Sequence, residues 1–487
     1  METLLSRPTI RVKPGRLFID GRNQNAALDR TFVDINPATN QAITNIAQAG
    51  AEDVELAVKA ARRAFEHNWG RMPSSERGRL LARLACLLRE NAEEVARLES
   101  LDVGKPIREA RRDVARAAQN FEFFAELADK IGGESYDSEK FLNYTKRDPL
   151  GVVTIITPWN FPLMLTSWKV APVLAAGNTC VVKPASVTPL SVLRMAELGK
   201  EAGLPDGVLN VLTGPGSSVG NAMVGHPDVA AVAFIGETTT GAGIMRTAAG
   251  SMKRLALELG GKSANIVFDD ASLDEAIAGS IKAIYMNQGE MCLAGSRLFV
   301  QSGIYDRFIE RFIERANSIK VGQPLDEETE MGALVSQEHL LKVRSYIETG
   351  LREGATLAAG GTCPTGLEHG NFLRPTVLTN VKNEMTVARE EIFGPVVAVI
   401  KFEDEADAIR QANDNMYGLA AGVWTNDLRK AHRVAGSLQA GNIWVNCYFE
   451  RDLRVPFGGM KMSGIGREGG HYSFDFWQET KNICVAL

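Results

Sequence analysis

The sequence has no CxxC pair and no Cys/His run at metal-ligand spacing. Its six cysteines, Cys86, Cys180, Cys292, Cys363, Cys447 and Cys484, are scattered over 487 residues. That scatter excludes a disulfide framework and a zinc site, so no metal is expected and each thiol is judged singly. An excess of basic charge is also missing. Lys+Arg 54 against Asp+Glu 59 gives a formal net charge of -5, which leaves no field to gather nucleic-acid phosphates. The amino-terminal METLLSRPTIRVKPGRLFIDG has no continuous apolar core, so it reads as neither signal peptide nor membrane helix, and the cytoplasm is expected. The usual GxGxxG is absent too: GPGSSVG, with Gly214, Gly216 and Gly220, is one residue too long and is a weak phosphate signal alone.

The chain does have 46 Gly and a 45% hydrophobic, 23% charged composition, which suits an α/β protein with many strand-to-helix turns. It is too long for one core, so two large domains are expected. EDVELAVKAARRAFE spaces apolar residues at three to four, as an amphipathic helix does. From Gly151, four β-branched runs (GVVTIITP, TCVVKP, GVLNVLTGPG, VAAVAFIG) alternate with helical segments, the rhythm of a parallel doubly wound sheet. A second series starts near KSANIVF and includes SRLFVQ, PVVAVIKF, GVWTN and NIWVN. Between helix and first buried strand, the polar 134–149 segment carries β-prone Phe141, Leu142 and Tyr144 and reads as a projecting hairpin.

Four stretches carry chemistry. In FIGETTTG, Gly236 ends an apolar strand and the next helix begins, so free N–H groups could face a phosphate; the plain alternative is a turn capped by threonines. TPWNFPL sets Asn160 between Trp159 and Phe161 beside prolines, a rigid place for an oxyanion donor or merely a capping asparagine. Glu258, in LALELGGKSANIV, follows a strand and precedes two glycines, as a general base would; a surface turn carboxylate is the alternative. Cys292, in NQGEMCLAG, has a polar approach and small neighbours that admit a substrate. The other five cysteines read as small buried hydrophobes.

TPWNFP, KPAS, LELGGKSANIVF, NQGEMC, REEIFGPV, GLAAGVWT and PFGGMKMSGIGREGG, in that order and over nearly the whole chain, resemble the aldehyde dehydrogenase superfamily. The resemblance implies an α/β fold with a doubly wound dinucleotide-binding domain (1–133 and 150–257). It implies also a catalytic domain with the nucleophilic cysteine (258–442) and a small β bridging arm (134–149 and 471–487). It implies NAD(P)-dependent oxidation of an aldehyde to an acid. Cys292 would form a thioester, Asn160 and the Cys292 N–H would hold the oxyanion, and Glu258 would activate water. Lys183 would face the adenosine ribose, Gly236 and Glu237 the pyrophosphate, and Glu391 and Phe393 the nicotinamide ribose, with Trp159 in the same cleft. Ser186 stands where NAD-preferring members commonly have Glu, which opens the site to NADP beside NAD. Arms of this kind pair subunits, so a homodimer or homotetramer is implied.

NCYFERDLRVPFGG and GETTTG are most similar to the subgroup acting on 2-hydroxymuconic and 2-aminomuconic semialdehydes from aromatic ring cleavage. There two arginines hold a distal carboxylate; the matching positions are Arg454 and Arg116, whose plain alternatives are a structural ion pair and a solvated helix surface. Phe161, Trp168, Tyr448 and Phe449 are candidates for an aromatic tunnel suited instead to a benzaldehyde-type or betaine-type substrate. A catalytically silent structural protein on the same fold is the reading from another class, against which the trio of Cys292, Glu258 and Asn160 speaks.

Overall fold

A computed structural model describes residues 12–487; the rest of the amino-terminal segment read above for a leader lies outside the described residues. Two sheets organise the chain. In the first, the strands Leu209–Val211, Thr179–Lys183, Val152–Ile156, Val229–Ile235 and Arg254–Glu258 run parallel in that order. Antiparallel Leu17–Ile19 and Arg22–Gln24 flank one edge and Gly464–Ile465 the other. The reason these strands read as unbroken apolar runs is visible in the packing. Val153, Ile155, Cys180 and Val182 enter one core cluster, whereas Val152, Ile156, Val181 and Val232 enter another. Alternate side chains point to opposite faces, and helices cover both.

The second sheet orders Thr356–Ala359, Thr376–Thr379, Val396–Phe402, Arg297–Gln301, Ala264–Val267, Ala420–Trp424 and Asn442–Val445, all parallel except the first. It too is buried on both faces: Ile266, Phe299 and Ile400 pack on one side, Val267, Leu298 and Val399 on the other. The chain crosses from the first sheet to the second at Leu259–Ser263 and returns with Gly464–Ile465, which pairs with the end of Arg254–Glu258. The ends of both sheets therefore meet beside Glu258.

The 134–149 segment is the hairpin expected. Ser135–Asp137 and Phe141–Pro149 pair with the carboxy-terminal Gln478–Ala486 in a three-stranded antiparallel sheet. The expected arm differs at one point, since Gly470–Trp477 is helical and lies on the helix Pro162–Ala175, where Phe474 and Trp477 complete the first core. Among the described residues no helix is long and apolar enough to cross a membrane. Nor is any group of three or more His, Cys, Asp or Glu placed to hold a metal ion.

Candidate active site

Glu258 ends its strand in register with Ile235 and Gly464, and its carbonyl accepts from Gly236 N at 3.0 Å. The side chain is buried at the inner end of a cavity, and Oε2 has no hydrogen-bond partner among the described residues. Burial raises its carboxyl to about 8; Lys169 opposes that rise and Glu468 adds to it. Lys169 and Glu468 form a buried ion pair, and Trp168 Nε1 donates to the same Glu468 oxygen at 3.0 Å.

Cys292 follows a strained approach. Asn287, Gln288 and Gly289 take φ of 49°, 57° and 71°, three left-handed residues in succession, of which only glycine does so freely. The loop then presses against the glycine turn after Glu258, because a Cβ on Gly261 would stand 2.3 Å from the Cys292 carbonyl oxygen. Burial, with help from Glu391 and Glu258, pushes the Cys292 thiol up to about 12. The resting sulfur is a thiol and needs a base to become a nucleophile. Asn160 is tied to the loop that leads to Cys292: Nδ2 donates to the Glu290 carbonyl at 2.8 Å, and Asn287 Nδ2 donates back to the Asn160 carbonyl at 3.2 Å. One amide hydrogen of Asn160 remains for a further acceptor.

The residues expected at the cofactor offer groups that suit a dinucleotide. Lys183, its ammonium lowered by burial to about 8, has among the described residues only the carbonyls of Pro184 and Gly214 as hydrogen-bond partners, and Ser186 Oγ donates to that same Gly214 oxygen at 2.8 Å. The helix Thr238–Ala249, with Glu237 as its N-cap, starts with no side-chain cap, so its first amides are open to an anion. Glu391 Oε1 accepts from Gly261 N at 2.9 Å, and Glu237 is near enough to help raise Glu391, which burial already lifts to about 7. Trp159 meets the rings of Phe393 and His339 edge-on at 5.2 and 5.1 Å. Open amides, a cation without a carboxylate and an acid set against a glycine turn fit a phosphate-linked pair of riboses.

From Cys292 and Glu258 a cavity of about 1280 Å³ runs outward between the helices Ile107–Leu127 and Pro162–Ala175 and the 441–457 segment. Phe161, Trp168 and Phe449, candidates above for an aromatic tunnel, line it. Tyr448 does not: it is buried behind the wall, and its hydroxyl donates to the Leu293 carbonyl at 3.0 Å. Arg116 is half-buried on the wall, its Nη2 3.5 Å from the Arg451 carbonyl. Arg454 is at the mouth, 79% exposed in its side chain and bound to Asp452, which is the structural ion pair named as its alternative. The guanidinium the sequence reading missed is that of Arg451. It stacks on Trp168 and Phe457 at 3.9 and 4.1 Å, and its buried Nε and Nη2 have no partner. Its only sequence signal was a second arginine three residues before Arg454. Lys169 and Glu468 were missed also, because a pair 299 residues apart has no local pattern. Of the other five cysteines only Cys180 is buried; Cys86 and Cys484 are exposed, which corrects the expectation of small core hydrophobes.

A sequence model of the aldehyde dehydrogenase family matches residues 24–483. The 5-carboxymethyl-2-hydroxymuconate semialdehyde dehydrogenase of Escherichia coli is 46% identical over 463 residues, 94% of this chain and 97% of that protein. The 2-hydroxymuconic semialdehyde dehydrogenase of a Pseudomonas species is 45% identical over 480 residues, 96% of this chain and 99% of that one. The crystal structure of a betaine aldehyde dehydrogenase from Staphylococcus aureus in complex with NAD+ superposes with a TM-score of 0.95 at 43% identity, covering 96% of this chain and 94% of the other.

Proposed function

The chain belongs to the aldehyde dehydrogenase family, and we propose that within it the substrate is a muconic-type semialdehyde, one carrying a carboxylate remote from its aldehyde. The observation that supports this is Arg451, a guanidinium with two buried, unpartnered nitrogens on the cavity that leads to Cys292. A buried cation without a partner is costly, and a planar carboxylate is the ligand that relieves it bidentately. Arg116, close by, adds a second positive charge; Arg454, already bound to Asp452, adds little. Betaine aldehyde would bring a quaternary ammonium against Arg451. Benzaldehyde would use the aromatic wall alone.

Cys292 Sγ attacks the aldehyde carbon, and its proton passes to the ionised form of Glu258, which releases it to the water of the open cavity before the next step. The free amide hydrogen of Asn160 and the Cys292 N–H receive the oxyanion. Lys183, Ser186, Gly236, Glu237, Glu391, Phe393 and Trp159 would hold NAD or NADP, which when bound would supply the hydride acceptor. With the hydride gone the carbon is a thioester on Cys292. Glu258 then takes a proton from water, the hydroxide adds to the thioester carbon, and the C–S bond breaks to give the acid and the thiol. The bridging arm joins copies into a homodimer or homotetramer.

The test compares kcat/KM for 2-hydroxymuconic semialdehyde and benzaldehyde on wild type, Arg451→Ala, Arg116→Ala and Arg454→Ala. Loss of a charge-assisted contact should raise KM for the semialdehyde about ten- to a hundredfold in Arg451→Ala, less in Arg116→Ala, and leave Arg454→Ala near wild type. Benzaldehyde should barely respond. Equal losses on both substrates would make Arg451 a structural residue and move the reading to the neutral aldehydes.

A further inference from the structure

The strain before Cys292 has to be held by something outside the loop. Asn287 is its first left-handed residue, and the backbone N–H of Asn287 donates to Glu109 Oε2 at 3.0 Å. Glu109 stands in the first turn of the helix Ile107–Leu127, 178 residues away, so this bond ties the loop to a rigid element of the other half of the molecule. The side chain of Asn287 reaches the Asn160 and Glu290 carbonyls at 3.2 Å each, and the Glu290 carbonyl also takes the Asn160 amide. Gln288 Oε1 accepts from Gly332 N at 3.3 Å, the second anchor. One residue, Asn287, thus sets both the path of the loop to Cys292 and the direction of the Asn160 amide.

We propose that Glu109 is a positioning residue for this reaction, an acceptor that holds Asn287 left-handed so that the Cys292 thiol and the Asn160 amide converge on one point. Without that acceptor a buried N–H is left unpaired and the loop relaxes toward ordinary backbone angles. The thiol and the amide then move apart, and shifts near 1 Å cost about a hundredfold in rate. Burial holds the Glu109 carboxyl up near 7, so what the loop uses is an oxygen in the right place, which an amide also offers.

The inference rests on Cys292 and Asn160 acting as proposed above, and the experiment separates the two. Glu109→Ala and Glu109→Gln are compared with wild type and Cys292→Ala using benzaldehyde. The rate of iodoacetamide labelling at the Cys292 peptide is followed by mass spectrometry. Glu109→Ala should lose kcat about 10- to 100-fold while KM moves less than about threefold, and its Cys292 labelling rate should change severalfold. Glu109→Gln should stay within about threefold of wild type in both. Wild-type kcat in Glu109→Ala, or a Gln variant as poor as the Ala variant, overturns the proposal. If Glu109→Ala does not fold, Glu109→Asp, which draws the oxygen back by one methylene, takes its place with the same two outcomes. An active Cys292→Ala protein would instead defeat the underlying reading, whatever Glu109 does.

Discussion

Glu258 shows what burial does to one carboxyl at the inner end of a cavity. Its carboxyl binds a proton up to about pH 8 in the folded protein, against 4.5 ordinarily. Between those values the folded state keeps a proton that the unfolded chain has lost, so this group's contribution to stability falls as pH rises from 4.5 to 8. Glu258→Gln, which does not titrate, lacks that slope. Urea unfolding of both proteins should show wild type losing ground to the variant across the window. Activity runs the other way, because a base must be ionised: thioester hydrolysis should climb with pH and level off above about 8. Glu258→Gln should slow both steps that use the carboxylate, and the acylated Cys292 that does form should persist, visible by mass. A hydrolysis rate flat from about pH 6 to 9 would sink the assignment. Cys292, Glu258 and Asn160 were legible because each stands in a short motif whose neighbours reveal its setting. Arg451 was not. Arg451 and Arg454 are chemically alike and three residues apart, and only the fold shows that one faces Trp168 and the other Asp452.

At the scale of elements, the parallel strands were readable for a physical reason. A strand covered on both faces has little need of polar residues, so Val152–Ile156, interrupted only by Thr154, and Thr179–Lys183, polar only at its two ends, stand out as short β-branched runs. The turns at their ends were less readable, since GPGSSVG becomes a turn of π-helix at Gly216–Gly220, a shape no fingerprint anticipates. On the cofactor placement proposed above, the turn after Thr179–Lys183 would bear on the choice between NAD and NADP. Ser186 and Lys183 both donate to the Gly214 carbonyl, and no carboxylate is among the hydrogen-bond partners of either. A 2′-phosphate approaching Lys183 would meet no fixed negative charge there, so NADP should be used at a measurable rate beside NAD. Ser186→Glu places an acid on that path and should penalise NADP by about 1 to 3 kcal/mol while sparing NAD. The check is kcat/KM for each cofactor on both proteins, and a wild type with no detectable NADP activity would defeat it.

For the whole molecule the informative feature is the arm. Phe141–Pro149 was legible as a β segment from its own residues, but its partner Gln478–Ala486 lies more than 300 residues on, and only the family resemblance joined them. A three-stranded sheet of this size is marginal in water without a covered face. Here Tyr136, Phe141, Tyr144 and Val485 are exposed, and both outer strands leave an edge unpaired. These exposed apolar side chains and open edges are what the subunit pairing proposed above would cover. Deleting 478–487 removes one of the three strands and strips Phe141–Pro149 of its main partner, while Trp477 and the helix that seals the first core stay in place. The truncated protein should therefore keep its fold and sediment as a smaller species than wild type at the same concentration. Analytical ultracentrifugation with circular dichroism reads both properties. A truncated chain of unchanged mass in solution would show that assembly, if any, uses another face, and a wild type that sediments as a monomer would remove the arm's proposed role altogether.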